Sequence, residues 1–229
     1  MPSSLATLNR RIVQCRACPR LVEHRERVAR DRKRQFSDWD YWGKPVPGFG
    51  DQNARLLIVG LAPAAHGANR TGRMFTGDSS GDWLYEALHR SGFANQAESI
   101  SRDDGLELTD CYVTAAARCA PPGNKPTTAE FNNCLQYLEA DVRLLPSVTV
   151  TLALGQLAHR WWLEAAGWWS SLEPRERPQF GHAKLVTMND GMKLLSSYHP
   201  SRQNTNTGKL SREMWHAVFD TARRLIDQA

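Results

Sequence analysis

The sequence lacks any apolar run long enough to cross a bilayer, which excludes a helical integral membrane protein. It also lacks the unbroken apolar core of a secretory leader, because Arg10 and Arg11 interrupt Met1 to Val13. Internal repeats are absent, and no convincing linker divides the chain. The 229 residues are therefore expected to form one domain, 1–229, with an N-terminal extension. Cysteine is scarce, with five residues in a chain expected to be cytoplasmic, where a reducing environment disfavours structural disulfides. The Gly-rich stretch after the first apolar run lacks the Gly-Lys-Ser/Thr ending of a phosphate-cradling loop, which argues against a nucleotide hydrolase of that type.

What is present reads as an ordinary globular composition, with 41% hydrophobic and 23% charged residues. The net charge of +5 favours a polyanionic partner. Apolar residues at helical spacing place a helix over Ser3 to Val13, and a charged helix is expected over Leu21 to Arg34. Buried strands are expected at Leu56–Val59, Tyr112–Ala116 and Ser147–Leu154, followed by a strand pair at Lys184–Met188 and Met192–Ser197. Helices are expected over Gly81–His89 (capped by Ser79 or Ser80), from Thr127 to about Leu145, over Gln156–Ala166 and over Leu210–Asp227. Thr127 and Glu130 form a capping box. Residues 92–109 read as irregular, and the Trp161, Trp162, Trp168 and Trp169 cluster reads as packing for its helix. Strands alternating with helices imply an α/β class protein, a three-layer α/β/α sandwich around a mainly parallel central sheet.

Cys15 and Cys18 form a C-x-x-C, while Cys119 and Cys134 lie further on with fourteen residues between them. Two close thiolates and two supplied by distant loops suit a four-sulfur metal centre, and spacing accepts either zinc or a 4Fe–4S cluster. Such a centre would staple the N-terminal extension to the loop at 119–134. Cys111, at the start of a strand, reads as a small hydrophobe.

In a parallel sheet the loops that follow the strands converge on one rim. That rim gathers Gly60 to Asp78, Arg118 to Lys125, and His199 to Asn206. The first of these loops is long for a simple connection, and it mixes His66, Asn69, Arg70, Arg73, Phe75 and Asp78 among small residues. Ser, Asn, Arg and backbone N–H groups at such a rim suit phosphates and a base.

Three motifs in order resemble the uracil-DNA glycosylase superfamily. The run from Gly60-Leu-Ala-Pro-Ala-Ala-His to Met74-Phe-Thr-Gly-Asp78 and the run His199-Pro-Ser-Arg-Gln-Asn204 look like its family 5, the type-b enzymes. Arg118-Cys-Ala-Pro-Pro-Gly-Asn-Lys-Pro126, with the four-cysteine spacing, is similar to the iron–sulfur families 4 and 5. The resemblance implies a hydrolase that removes uracil, hypoxanthine and xanthine from DNA and so initiates base excision repair. It also implies a structural 4Fe–4S cluster on Cys15, Cys18, Cys119 and Cys134. The partner expected is double-stranded DNA with the damaged base flipped out, bound by a monomer and not by way of a membrane.

Ala62 stands where other relatives carry their water-activating acid, and the resemblance points to Asp78 in its place. Thr114-Ala115-Ala116 stands where strict uracil readers carry an asparagine, so discrimination should relax. The expected catalytic pair is Asp78 and His199. Gly60, Leu61, Ala62, Phe75, Ala115, Asn124 and Asn204 are expected at the substrate, with Phe75 stacking on the flipped base. Arg70, Arg73, Lys125 and Ser201 are expected on phosphates, with Arg202 and Gln203 at the minor groove and Gln203 as the wedge. Two rival readings are a metal-stapled DNA-binding module without catalysis and a family 4-like glycosylase with strict uracil specificity.

Overall fold

The computed structural model describes residues 2–228. Its centre is a six-stranded sheet in the order β1-β3-β2-β4-β6-β5. The strands are β1 (Phe49–Gly50), β2 (Leu56–Gly60), β3 (Cys111–Ala115), β4 (Val150–Leu154), β5 (Lys184–Thr187) and β6 (Lys193–Ser197). β3, β2, β4 and β6 run parallel, and β1 and β5 close the two edges antiparallel. The chain leaves β2 for β3 on one side and later occupies β4 on the other, so the sheet's topological switch lies at the carboxyl end of β2. Open α/β sheets bind ligands at that crevice.

The four parallel strands are almost wholly buried because helices cover both faces. Leu56 and Ile58 of β2 face one core layer, Leu57 and Val59 the other, as strand alternation requires. The first layer contains α4 (Ser79–Arg90) and α9 (Arg212–Asp227), through Leu84, Leu88, Trp215, Val218 and Phe219. The second contains α1 (Leu5–Val13), α5 (Thr128–Leu144) and α6 (Gln156–Ala165), through Leu8, Ile12, Phe131, Leu138 and Trp162. Phe131 stacks on Trp161 with centroids 4.7 Å apart, and Trp168 and Trp169 pack against the same cluster. The tryptophans are packing residues, as expected.

Several boundaries differ from the sequence reading. The charged helix α2 is Pro19–Asp31, starting on a proline whose missing N–H would be unpaired there in any case. Two short helices, α3 (Ala68–Thr71) and α8 (Arg202–Asn206), sit in stretches read as loop, as does α7 (Trp168–Ser171) within a Trp- and Ser-rich segment. β1 is too short to signal itself. The helix after the first rim loop is capped by Asp78, not by Ser79 or Ser80.

Among the polar groups in the core, Arg118 and Asp141 form an ion pair between the end of β3 and α5, with 1% and 0% of their side chains exposed. Thr114 donates to the same carboxylate oxygen at 2.6 Å. Removing one member leaves the other charge buried and unpaired, so Asp141→Ala should lower the unfolding free energy by about 3–5 kcal/mol. Thr127→Ala, which removes only the α5 cap that accepts from Glu130 N, should lower it by about 1 kcal/mol. Urea denaturation of both variants checks the ranking; an Asp141 loss no larger than the cap loss would contradict it.

Candidate active site

The carboxyl ends of β2, β3, β4 and β6 open into a cleft of about 680 Å³. A drug-sized or nucleobase-sized ligand occupies a cavity of this order. Leu61, Ala62 and Pro63 form one wall, Ala115 and Leu154 lie at the strand ends, and Phe75, Asp78 and His199 face the same space.

Asp78 is built into the start of α4. One oxygen, Oδ1, accepts from Ser80 N at 3.0 Å and Gly81 N at 3.1 Å, which satisfies two otherwise free donors of the helix. A Cβ on Gly67 would come within 2.0 Å of the other oxygen, Oδ2, so glycine is required for the loop to pass this close. Burial raises the Asp78 pKa above the usual aspartate value, opposed by the two helix N–H groups and by Arg70, and reinforced by Asp82.

Phe75 has φ +53°, a left-handed conformation that a bulky side chain rarely adopts. Its ring rests where a Cβ on Gly60 would come within 2.7 Å of it, and it stacks on His199 at 5.8 Å between centroids and 28° between planes. His199 follows β6. Desolvation pushes its pKa down to about 4, so at neutral pH the imidazole is uncharged and offers one N–H donor. Asn204 holds this residue from behind, its Nδ2 donating to the His199 carbonyl at 2.8 Å. The two rim loops are laced together, Ser80 Oγ donating to Pro200 O and Arg202 Nε donating to Ser79 Oγ.

Leu61, Ala62, Phe75, Ala115, Asn124, Ser201, Arg202 and Gln203 all line the cleft, as the rim argument expects. Four expected residues require correction. Gly60 lies behind Phe75 and makes room for it, and the Asn204 amide is committed to a backbone carbonyl, so neither lines the cleft. Arg70 and Arg73 are each 3% exposed and cannot contact phosphates. Arg73 is bound to Asp104 by two short bonds and to Ser99, and Arg70 donates to two loop carbonyls. Lys125 is exposed beside the cleft but not part of its lining. Sequence reading overlooked Gly155, Gln156 and Leu157 at the start of α6, which also line the cleft. The loop after the third strand belongs to the same rim, and that was the available signal. Leu157 is 46% exposed, unusual for a large apolar residue.

Past the end of β3, a small recess is lined by Cys15, Cys18, Cys119 and Cys134 together. N–H donors already point at three of the sulfurs: Arg25 to Cys119 at 3.6 Å, Arg118 N to Cys134 at 3.4 Å and Asn133 to Cys18 at 3.4 Å. Hydrogen bonds of this kind tune thiolate ligands. Burial pushes the thiols of Cys119 and Cys134 up to about 12 and 11, so without a bound metal both are neutral. Among the described residues, no three metal-binding side chains are close enough to share one ion. Four soft sulfur donors lining one recess are a set that either zinc or an iron–sulfur cluster accepts.

Residues 47–223 match the model of the uracil DNA glycosylase superfamily. The chain is 50% identical to the Type-5 uracil-DNA glycosylase of Mycobacterium leprae, covering 97% of this chain and 96% of that one. The Type-5 uracil-DNA glycosylase of Thermus thermophilus is also 50% identical, over 93% of this chain and 94% of its own. That of Pyrobaculum aerophilum is 46% identical over 93% and 89%. The chain therefore belongs to the uracil DNA glycosylase superfamily. Within it, Type-5 members match this chain along nearly its whole length.

The depressed His199 pKa has a consequence for stability. The unfolded chain binds a proton at this residue near pH 6.5, whereas the folded chain binds it only near pH 4. Stability from His199 is thus fully present above 6.5 and is lost as pH falls toward 4, by up to about 3 kcal/mol. Subtracting the unfolding free energies of His199→Gln from those of the parent across this window should leave a slope of that sign; parallel profiles would refute it.

Proposed function

We propose that this protein hydrolyses the N-glycosidic bond of uracil in DNA, and also that of hypoxanthine and xanthine, as the first step of base excision repair. One observation carries the reading: a carboxylate, a neutral imidazole and an aromatic ring face one cleft, in a chain half identical to Type-5 uracil-DNA glycosylases.

A base stacked in a duplex hides its glycosidic carbon, so the nucleotide must turn out into the cleft. Phe75 would stack on the extruded base, a contact worth about 1–3 kcal/mol and indifferent to base identity. When the bond breaks, its electrons leave with the base and positive charge develops on the sugar. His199, neutral and hence a donor without being a strong acid, would hydrogen-bond the departing anion; losing one such donor costs roughly 10²–10³ in rate. Asp78 leaves Oδ2 available to orient a water molecule and to balance the sugar cation. The water oxygen bonds to the sugar carbon, and its proton ends on solvent or the base. Ser201, Lys125, Arg202 and Gln203 would hold the strand, with Gln203 filling the gap in the stack of a double-stranded substrate bound by a monomer.

The broad substrate range follows from β3. The Thr114 hydroxyl is spent on Asp141, and Ala115 brings only a methyl group to the cleft. No side chain there reads one base edge, so purines and pyrimidines are admitted alike. Cys15, Cys18, Cys119 and Cys134 would hold a 4Fe–4S cluster, which when bound supplies a structural cross-link between the N-terminal extension and α5.

Asp78→Asn should keep the fold and the affinity for abasic-site DNA while reducing turnover on uracil-containing duplex by about 10²–10⁴. Unchanged turnover would overturn the role of the carboxylate. Wild-type turnover should fall along an acid limb centred above the ordinary aspartate pKa, since burial raises it and activity needs the ionised form. Purified protein should be brown and contain iron; colourless protein with stoichiometric zinc would overturn the cluster. Alkali-labile abasic sites should appear in hypoxanthine and xanthine duplexes as well as uracil duplexes, and cleavage confined to uracil would favour strict specificity instead.

A further inference from the structure

Arg70 is a buried cation in the loop between β2 and α4 that DNA contact cannot use. Phe36 and Trp39, from the segment that follows α2, sandwich its guanidinium, with ring centroids 3.9 and 4.0 Å from Cζ. Nε donates to the carbonyl of His66 at 2.8 Å, and Nη2 donates to that of Gly77 at 2.9 Å. These two carbonyls bracket the excursion that carries Phe75, and Gly77 immediately precedes Asp78. The approach is so close that a Cβ on Gly77 would sit 2.4 Å from Nη2. Trp42 N adds a bond to the Arg70 carbonyl at 2.9 Å, which fixes the backbone from which the side chain springs. Nη1 is buried with no protein acceptor.

We propose that Arg70 is a positioning residue that sets the place of Asp78 through Gly77 and supplies the positive charge of its surroundings. The inference rests on the catalytic reading of Asp78 given above. The other groups around that carboxylate are the N–H groups of Ser80 and Gly81 and the acid Asp82 from α4, with His199 lining the same cleft from the end of β6. Arg70 is the basic side chain acting on Asp78 and favours its ionised form, whereas Asp82 opposes it. The aromatic pair holds the guanidinium flat, and its fork spans both carbonyls at once, which an ammonium cannot do. The segment after α2 therefore acts on the cleft without touching it.

The test compares Arg70→Met and Arg70→Lys with the parent on a uracil-containing duplex, recording kcat, KM, the pH profile of kcat, the salt dependence and the melting temperature. Arg70→Met should lower kcat by about 10²-fold, as expected for a displaced reacting group, with KM little changed. Its acid limb should move to higher pH, because Asp78 loses its cation. Arg70→Lys should restore the limb toward its original position while recovering kcat only in part. Trp39→Phe, a milder change for use if Arg70→Met fails to fold, should shift kcat and the limb the same way by less. A raised KM with kcat intact and a salt slope reduced by about one contact would mark a phosphate ligand and overturn the proposal. A lowered melting temperature with kcat and the limb unchanged would overturn it too. Parental turnover retained by Asp78→Asn would instead overturn the carboxylate reading itself, whatever the Arg70 variants do.

Discussion

The carboxylate of Asp78 accepts the first N–H groups of α4, and the rest of the cleft depends on that bond. It joins the long loop after β2 to a helix packed on the sheet, so the loop's far end is as well fixed as the core beneath it. It also keeps Oδ1 occupied and leaves Oδ2, which lies against Gly67, outside the helix cap, a division that fits the two tasks proposed for one carboxylate. The favourable field of the helix start opposes the desolvation that raises its pKa. The net effect is still a pKa above the ordinary aspartate value, with the helix N–H groups limiting the rise.

Around that bond the sheet arranges its neighbours by topology alone. Parallel strands deliver every following loop to one rim, and the switch at the end of β2 opens the space between them. Phe75 arrives from the loop after β2, Ala115 from β3, Gly155 from β4 and His199 from β6. Past the end of β3 the four cysteines gather, two from the chain before α2 and two from β3's sequel and α5. Arg118 and Asp141 tie that region to the strand whose last residue lines the cleft.

The strands, the principal helices and the rim were legible because buried parallel strands are uninterrupted apolar runs and the helices carry regular spacing or caps. The capping box at Thr127 and Glu130 was readable for the same reason, as its two partners are three residues apart. What stayed illegible was long-range pairing. Nothing local distinguishes Arg73, matched by Asp104 thirty-one positions away, from an arginine free to meet a phosphate. Arg70 is hidden likewise, its aromatic partners lying far upstream. Asn204 was misread because an amide on a rim loop resembles a ligand contact until its acceptor is known. β1, with two residues, is below the length at which periodicity exists.

The backbone of Phe75 carries one further consequence. An aromatic residue at φ +53° is held away from its own preferred conformation by everything that surrounds it. Glycine or asparagine would relax the backbone there, but each would also remove a ring that packs against the core and stacks on His199. The strain is thus offset by side-chain contacts, and the ring seated over Gly60 holds the backbone in a shape it would not keep alone. Cutting the ring back would therefore loosen the loop's course as well as open the cleft.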